Sequence, residues 1–270
     1  AHHPAFGNPR HLGRIQAFDL GSVVKGEVRR LELGTLGQGH GARQEREEDG
    51  EGGGGYAKVM SKEFIEAEMA LFREQAKDID IVIKRSTDNG KTWGPMETVI
   101  DYGDKSVGKP ASDPSFILDH STGEIFCFYN FMDQIKAPKE FRLHVQSSKD
   151  HGKTWSEPKD IRDDIMPKHV KERDFVFITS GRGTQIGSGA LIHTICHVGK
   201  GGYLFGSNDH GKTWQALKTK VYAPANENKF LELSDGTWMI NARNTKTPHR
   251  YIHLSKNKGK TWKSFADKGL

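Results

Sequence analysis

The sequence predicts an all-β chain built as a β-propeller, on three observations. The pattern Ser-x-Asp/Asn-x-Gly-Lys-Thr-Trp occurs four times, at Ser86–Trp93, Ser148–Trp155, Ser207–Trp214 and Ser255–Trp262. From Asp78 onward apolar residues alternate with a period of two, and helical periodicity is nearly absent. The 270 residues include 31 glycines, which suits many tight turns better than long helices.

The repeats start 62, 59 and 48 residues apart. A unit of that length holds about four short strands, the size of a propeller blade, whereas a solenoid has a shorter and more regular period. Between the repeats, SFILDHSTGEIFCFYNF reads as two strands joined by a turn at Ser121–Gly123. FRLHVQSS, ALIHTICHV, GGYLFGS, KFLELSDGTWMINARN and RYIHLS read as single strands or hairpins. The first 77 residues differ in character. Residues 1–30 show no sustained period, and residues 31–55 are glycine-rich and then charged, too polar to offset the entropy of ordering. Residues 61–76 have apolar positions at Phe64, Ile65, Met69 and Phe72 and read as a short amphipathic helix capped by Ser61. Two regions are therefore expected: an irregular, partly helical segment over 1–77 and a propeller over 78–270.

Each repeat falls where the chain must reverse between strands. Its Asp or Asn can accept backbone N–H groups, its Gly supplies a positive φ, its Thr starts the next strand, and its Trp can wedge between neighbouring sheets. A catalytic or calcium-binding role for Asp88, Asp150 and Asp209 is the competing reading. Each repeat offers a single carboxylate, and the fourth carries Asn257, which suits a turn and not a proton donor.

Net charge is +5, with lysines scattered along the chain. No concentrated basic stripe with stacking aromatics is present, so a nucleic-acid partner is not expected. No apolar run reaches membrane-spanning length and no signal peptide is visible. Cys127 and Cys196 sit in apolar strands and read as buried free thiols. His193 and His197 share one face of a strand about 13 Å apart, too far to share an ion. No metal or cofactor is expected.

The repeat resembles the Asp box of the sialidase (neuraminidase) superfamily, and the resemblance extends over about residues 78–270. DIDIVIKRSTDNGKTW is similar to the strand that leads into the first box. ASDPSFILD resembles a segment whose aspartate contacts the sugar, here Asp113. SGRGTQIGSGALI is similar to a turn and strand lining the site, which would make Gln185 a polar contact. NENKFLELSDGTWMINARN resembles a signature whose glutamate, here Glu227, partners a tyrosine nucleophile. Its arginine, here Arg243, belongs to a triad that grips the substrate carboxylate.

The resemblance implies a six-bladed propeller of which this chain supplies about four blades, so the chain reads as a fragment. It implies an exo-acting, retaining glycoside hydrolase that removes terminal sialic acid from glycoconjugates, with sialylated glycans as partners and a secreted or periplasmic setting. The family's first arginine is matched only by Arg14 in GRIQAF, and Gln75 stands near the place of its acid/base aspartate. Asp78 and Asp80 are the nearby carboxylates. Tyr222 and Tyr251 do not stand in the nucleophile's context. These departures keep a second reading open, a non-catalytic module that binds glycans or proteins.

Overall fold

The computed structural model describes residues 17–24, 79–103, 108–137, 140–171, 174–244 and 247–267. The helix expected over 61–76, together with Arg14, Gln75 and Asp78, lies outside them. Four sheets follow one another along the described chain. The first joins β1 (Ala17–Val24), β2 (Ile79–Ser86) and β3 (Glu97–Ile100). The second runs β7 (Lys159–Asp160), β6 (Arg142–Ser148), β5 (Ile125–Phe131) and β4 (Ala111–Leu118), with β9 (Gly181–Arg182) added parallel to β4.

The third sheet contains β10 (Thr184–Gln185), β11 (Leu191–His197), β12 (Gly201–Ser207) and β13 (Gln215–Ala216), and β8 (Val176–Ile178) also pairs with β11. The fourth is β14 (Asn228–Glu232), β15 (Trp238–Ala242), β16 (Arg250–Ser255) and β17 (Lys263–Asp267). The one helix among the described residues is α1 (Arg162–Ile165). The all-β expectation holds. Strand β1 was not signalled by periodicity; it pairs with β2 from Ala17 opposite Ser86 to Val24 opposite Ile79.

Strands within the inner sheets are apolar on both faces because a sheet packs on either side. In β11, Leu191 and Ile195 join one core with Phe126, Phe128, Phe205 and Trp214, while Ile192 joins a second with Tyr222, Phe230 and Trp238. The period of two thus sorts one strand's residues into two cores.

All four repeats form the same turn. In the first, Gly90 N–H donates to Ser86 Oγ at 2.7 Å, which itself donates to Asp88 Oδ1 at 2.7 Å. Asp88 accepts Thr92 N–H at 2.9 Å and Thr92 Oγ1 at 2.6 Å. Asp150 and Asp209 repeat these bonds, and Asn257 keeps the Thr261 N–H bond while donating from Nδ2 to Thr261 Oγ1 at 2.8 Å. The turn needs an oxygen acceptor, which Asn supplies as well as Asp does. Positive φ extends to the residue before each glycine, at Asn89, His151, His210 and Lys258. The tryptophans do not share one role. Trp214 is buried as expected of a wedge, whereas Trp93 is 43% exposed.

Hydrogen bonds from Thr92 hold the Asp88 carboxyl down to about 2, those from Thr213 do the same for Asp209, and Asp150 is lowered likewise by Thr154. A carboxyl lowered on folding stabilises the native state above its unfolded value, near pH 4, and loses that contribution as pH falls through its folded value. The contribution of these three carboxyls to the melting temperature is therefore expected to be complete above about pH 5 and to be lost between about pH 4 and 2. Asp150→Asn, which copies the fourth repeat, should fold and show a shallower acid decline by circular dichroism. An unchanged slope would disconnect this carboxylate from acid stability.

Candidate functional site

Strand registers place three of the repeats at the opposite end of the sheets from Asp113, Glu227 and Arg243. Ser148 lies opposite Ile125, Ser207 opposite Leu191 and Ser255 opposite Trp238, so these three turns share one rim. The other rim is marked by Ala111 opposite Phe131 and by Asn228 opposite Ala242. Asp113, Glu227 and Arg243 all belong to this second rim.

Glu227 immediately precedes β14 and Arg243 immediately follows β15, so the hairpin brings residues 16 apart into register. Arg243 N–H donates to Glu227 O at 2.7 Å, and Arg243 Nη1 to Glu227 Oε2 at 2.9 Å. Both side chains are about half exposed, at 55% and 53%. An exposed pair of this kind contributes roughly 0–1 kcal/mol to stability, so stability is a weak reason for its presence. It leaves a guanidinium fork and a carboxylate open to a ligand.

Asp113 is placed by an irregularity in β4. The register shifts between Ser112 and Ser115, and Asp113 has φ 53°, an uncommon value for a residue with a Cβ. Asn130 Nδ2 and Ser112 Oγ each donate to its Oδ2 at 3.1 Å. Burial raises the Asp113 carboxyl and the Glu227 charge adds to the rise, opposed by the two hydrogen bonds and by Lys229. That mutual influence brings Asp113, Glu227 and Lys229 into one electrostatic cluster.

Gln185 stands apart. Its amide donates to Asp119 Oδ1 at 2.8 Å and to Gly189 O at 3.0 Å, and its Oε1 accepts His120 N–H at 2.8 Å. Asp119 follows β4 by one residue and is six residues from Asp113, about 20 Å of extended chain. The same carboxylate meets His210 of the third repeat at 2.7 Å. Gln185 therefore sits at the repeat rim, clasping the β4–β5 turn. Asp80 lies in β2, as its alternation suggests, and it is buried there. Tyr222 is buried, its phenol raised well above the ordinary value by burial, and its hydroxyl donates to Asn228 Oδ1 at 2.7 Å.

Sequence reading missed Lys229 and Asn130. A signal for Lys229 was present: alternation puts Asn228 and Phe230 on one face of β14 and the lysine on the other. Nothing in the sequence pairs Asn130 with Asp113, because their contact depends on the bulge. Among the described residues no group of three or more His, Cys, Asp or Glu side chains could hold a metal ion. No described helix is long and apolar enough to cross a membrane.

Comparison with known proteins gives the architecture its context. A family model described as "BNR repeat-like domain" matches residues 67–268. A sialidase of Micromonospora viridifaciens is 31% identical over 202 residues, covering 67% of this chain and 31% of that protein. A Bacteroides fragilis sialidase is 28% identical, covering 68% of this chain and 37% of that one. The chain thus spans about a third of the length of these relatives. A separate likeness, 40% identical over 88 residues, is to the NAD(P) transhydrogenase subunit alpha of Haemophilus influenzae; at 32% of this chain it is too short to set the family.

Among solved structures, Hadza microbial sialidase Hz136 aligns with TM-score 0.57 at 26% identity, over 69% of this chain and 40% of that one. The intramolecular trans-sialidase from Ruminococcus gnavus aligns with TM-score 0.59 at 16% identity, over 71% and 65%, which bears on fold alone. With more than half of its residues matched by the family model, and with sialidases as its relatives in sequence and fold, this chain belongs to the BNR repeat-like domain family of the sialidase superfamily.

Proposed function

We propose that this chain carries part of the substrate-binding face of an exo-α-sialidase, a retaining glycoside hydrolase that releases terminal sialic acid from sialylated glycoconjugates. The observation that carries this reading is the Glu227–Arg243 pair, half exposed and electrostatically coupled to Asp113 at the rim opposite the repeats. Sialic acid bears a carboxylate on its anomeric carbon, which an arginine fork binds through paired, charge-assisted hydrogen bonds. A carboxylate nucleophile would be repelled by that group. Glu227 instead acts as the base for a tyrosine nucleophile, the sialidase exception to the two-carboxylate scheme. Asp113 accepts hydrogen bonds from ring substituents. The mildly basic chain favours approach of an anionic ligand.

The test is binding and turnover by the full chain. Removing a hydrogen bond to a charged group costs about 1.5–3 kcal/mol, so Arg243→Ala should weaken binding of a methyl sialoside roughly 10- to 100-fold in an NMR titration. Glu227→Gln should largely retain that binding and lose any turnover of a fluorogenic sialoside. Equal affinity of wild type and Arg243→Ala would remove the assignment. Binding that needs Arg243 without wild-type turnover would leave a glycan-binding module in place of an enzyme.

A further inference from the structure

We propose that Lys229 is the internal counter-charge of this site: it pins the Thr179–Ser180 backbone, the stretch that Asn130 ties to Asp113 from the other side, leaving Arg243 to meet the ligand. The functional meaning rests on the sialoside-site reading, whereas the placement rests on geometry.

Asn228 and Phe230 are buried on one face of β14, so Lys229 turns toward the chain that continues β8. Its Nζ donates to Ser180 O, and lies 3.3 Å from Thr179 Oγ1 and 3.4 Å from Thr179 O. Gly181 makes this approach possible. It has φ 109°, and a Cβ there would stand 3.1 Å from both Cε and Nζ of Lys229. Any larger residue would press on the ammonium.

Asn130 holds the same backbone from the side of Asp113. Its Oδ1 accepts Ile178 N–H at 2.8 Å, and its Nδ2 lies 3.1 Å from both Ile178 O and Asp113 Oδ2. The stretch Ile178–Ser180 is thus held between the amide that orients Asp113 and the ammonium of Lys229. The second and fourth sheets meet across three residues at the end of β8, a strand of the third.

The charged groups acting here are few. Burial lowers Lys229 to about 8, against the charges of Glu227 and Asp113, which raise it, and with Arg250 of β16, which lowers it further. His193 of β11 is held at about 3 by burial and by Lys229, and so stays neutral. Lys229 is therefore charged at pH 7 and loses its charge as pH rises through about 8.

The experiment follows the Asp113 carboxyl by carbon-13 NMR in the full chain from pH 4 to 10, without ligand. Wild type should show a secondary inflection near pH 8 when Lys229 deprotonates. In Lys229→Met and in Lys229→Gln that inflection should vanish, and the midpoint of Asp113 itself should rise, because a positive charge that lowers it is gone. A residue that acted only as a packed stem would leave both features unchanged in Lys229→Met, and that result would overturn the proposal. Should both variants fail to fold, absence of the wild-type inflection overturns it equally. Methyl sialoside binding on the same samples separates the two readings: an intact inflection without binding sinks the sialoside site and keeps the counter-charge.

Discussion

Gly211→Ala is expected to destabilise the protein by roughly 3–5 kcal/mol, while the same change at the equivalent Gly90 costs about 1 kcal/mol. Both glycines hold the same place in their repeats and similar backbone angles, φ 79° and 83°. What differs is the neighbour. A Cβ on Gly211 would stand 2.1 Å from Cζ and 2.3 Å from Cε1 of Phe126, a ring buried in the largest core. At Gly90 the nearest atom met is Trp93 Cζ2 at 3.8 Å, an ordinary contact.

Gly90→Ala therefore carries the backbone term alone, and Gly211→Ala adds overpacking against a ring that cannot withdraw. Phe126 is set edge-on against Trp214 at 5.3 Å, with little room to move. Urea denaturation of both variants decides the matter. Equal losses would show that the turn, and not its packing, governs both positions.

Trp214→Ala is expected to cost about 3–5 kcal/mol, and Trp93→Ala less than about 1 kcal/mol. Trp214 is 4% exposed and meets Phe126, Phe128 and Phe205, the second edge-on at 4.9 Å and 87°. Truncation would empty the centre of the core between the second and third sheets. A domain with the usual 5–15 kcal/mol of stability would lose a large share of it. Trp93 exposes 43% of its surface, so its removal returns little buried area to water. Trp262 stands between them: it packs on Tyr222 at 5.5 Å and donates from Nε1 to Lys220 O at 3.0 Å. Ranked melting temperatures of the three alanine variants test this order. A Trp93→Ala variant as unstable as Trp214→Ala would refute the packing argument.

The strands and turns were legible because their signals are local. Alternation of Ile79, Ile81 and Ile83 with Asp80, Val82 and Lys84, and the recurring Ser-Asp-Gly-Thr spacing, state period and reversal without any partner. The Glu227–Arg243 pairing was legible in part for a similar reason. A hairpin of fixed length puts its two ends side by side, and the resemblance named both ends. Gln185 was placed beside the site by the likeness of SGRGTQIGSGALI to a turn and strand lining it, and in the structure its amide reaches Asp119 at the repeat rim. Strand β1 was missed because its pairing partner lies some 60 residues away, beyond the reach of a local period. Lys229 was passed over because a lysine in a strand is ordinarily a surface residue.

The sequence by itself determined the all-β class, the four equivalent turns, and the rule that an acceptor oxygen at Asp88, Asp150, Asp209 or Asn257 closes each turn. Those features depend on bonds made within eight residues. The tertiary structure alone decided that Trp214 is core while Trp93 is surface, and that Gly211 touches an aromatic ring while Gly90 meets nothing closer than 3.8 Å. It alone put Asp113, Lys229 and the Glu227–Arg243 pair at the rim away from the repeats. Octapeptides that share one pattern acquire different roles because burial and charge belong to the neighbouring sheet, which local sequence does not specify.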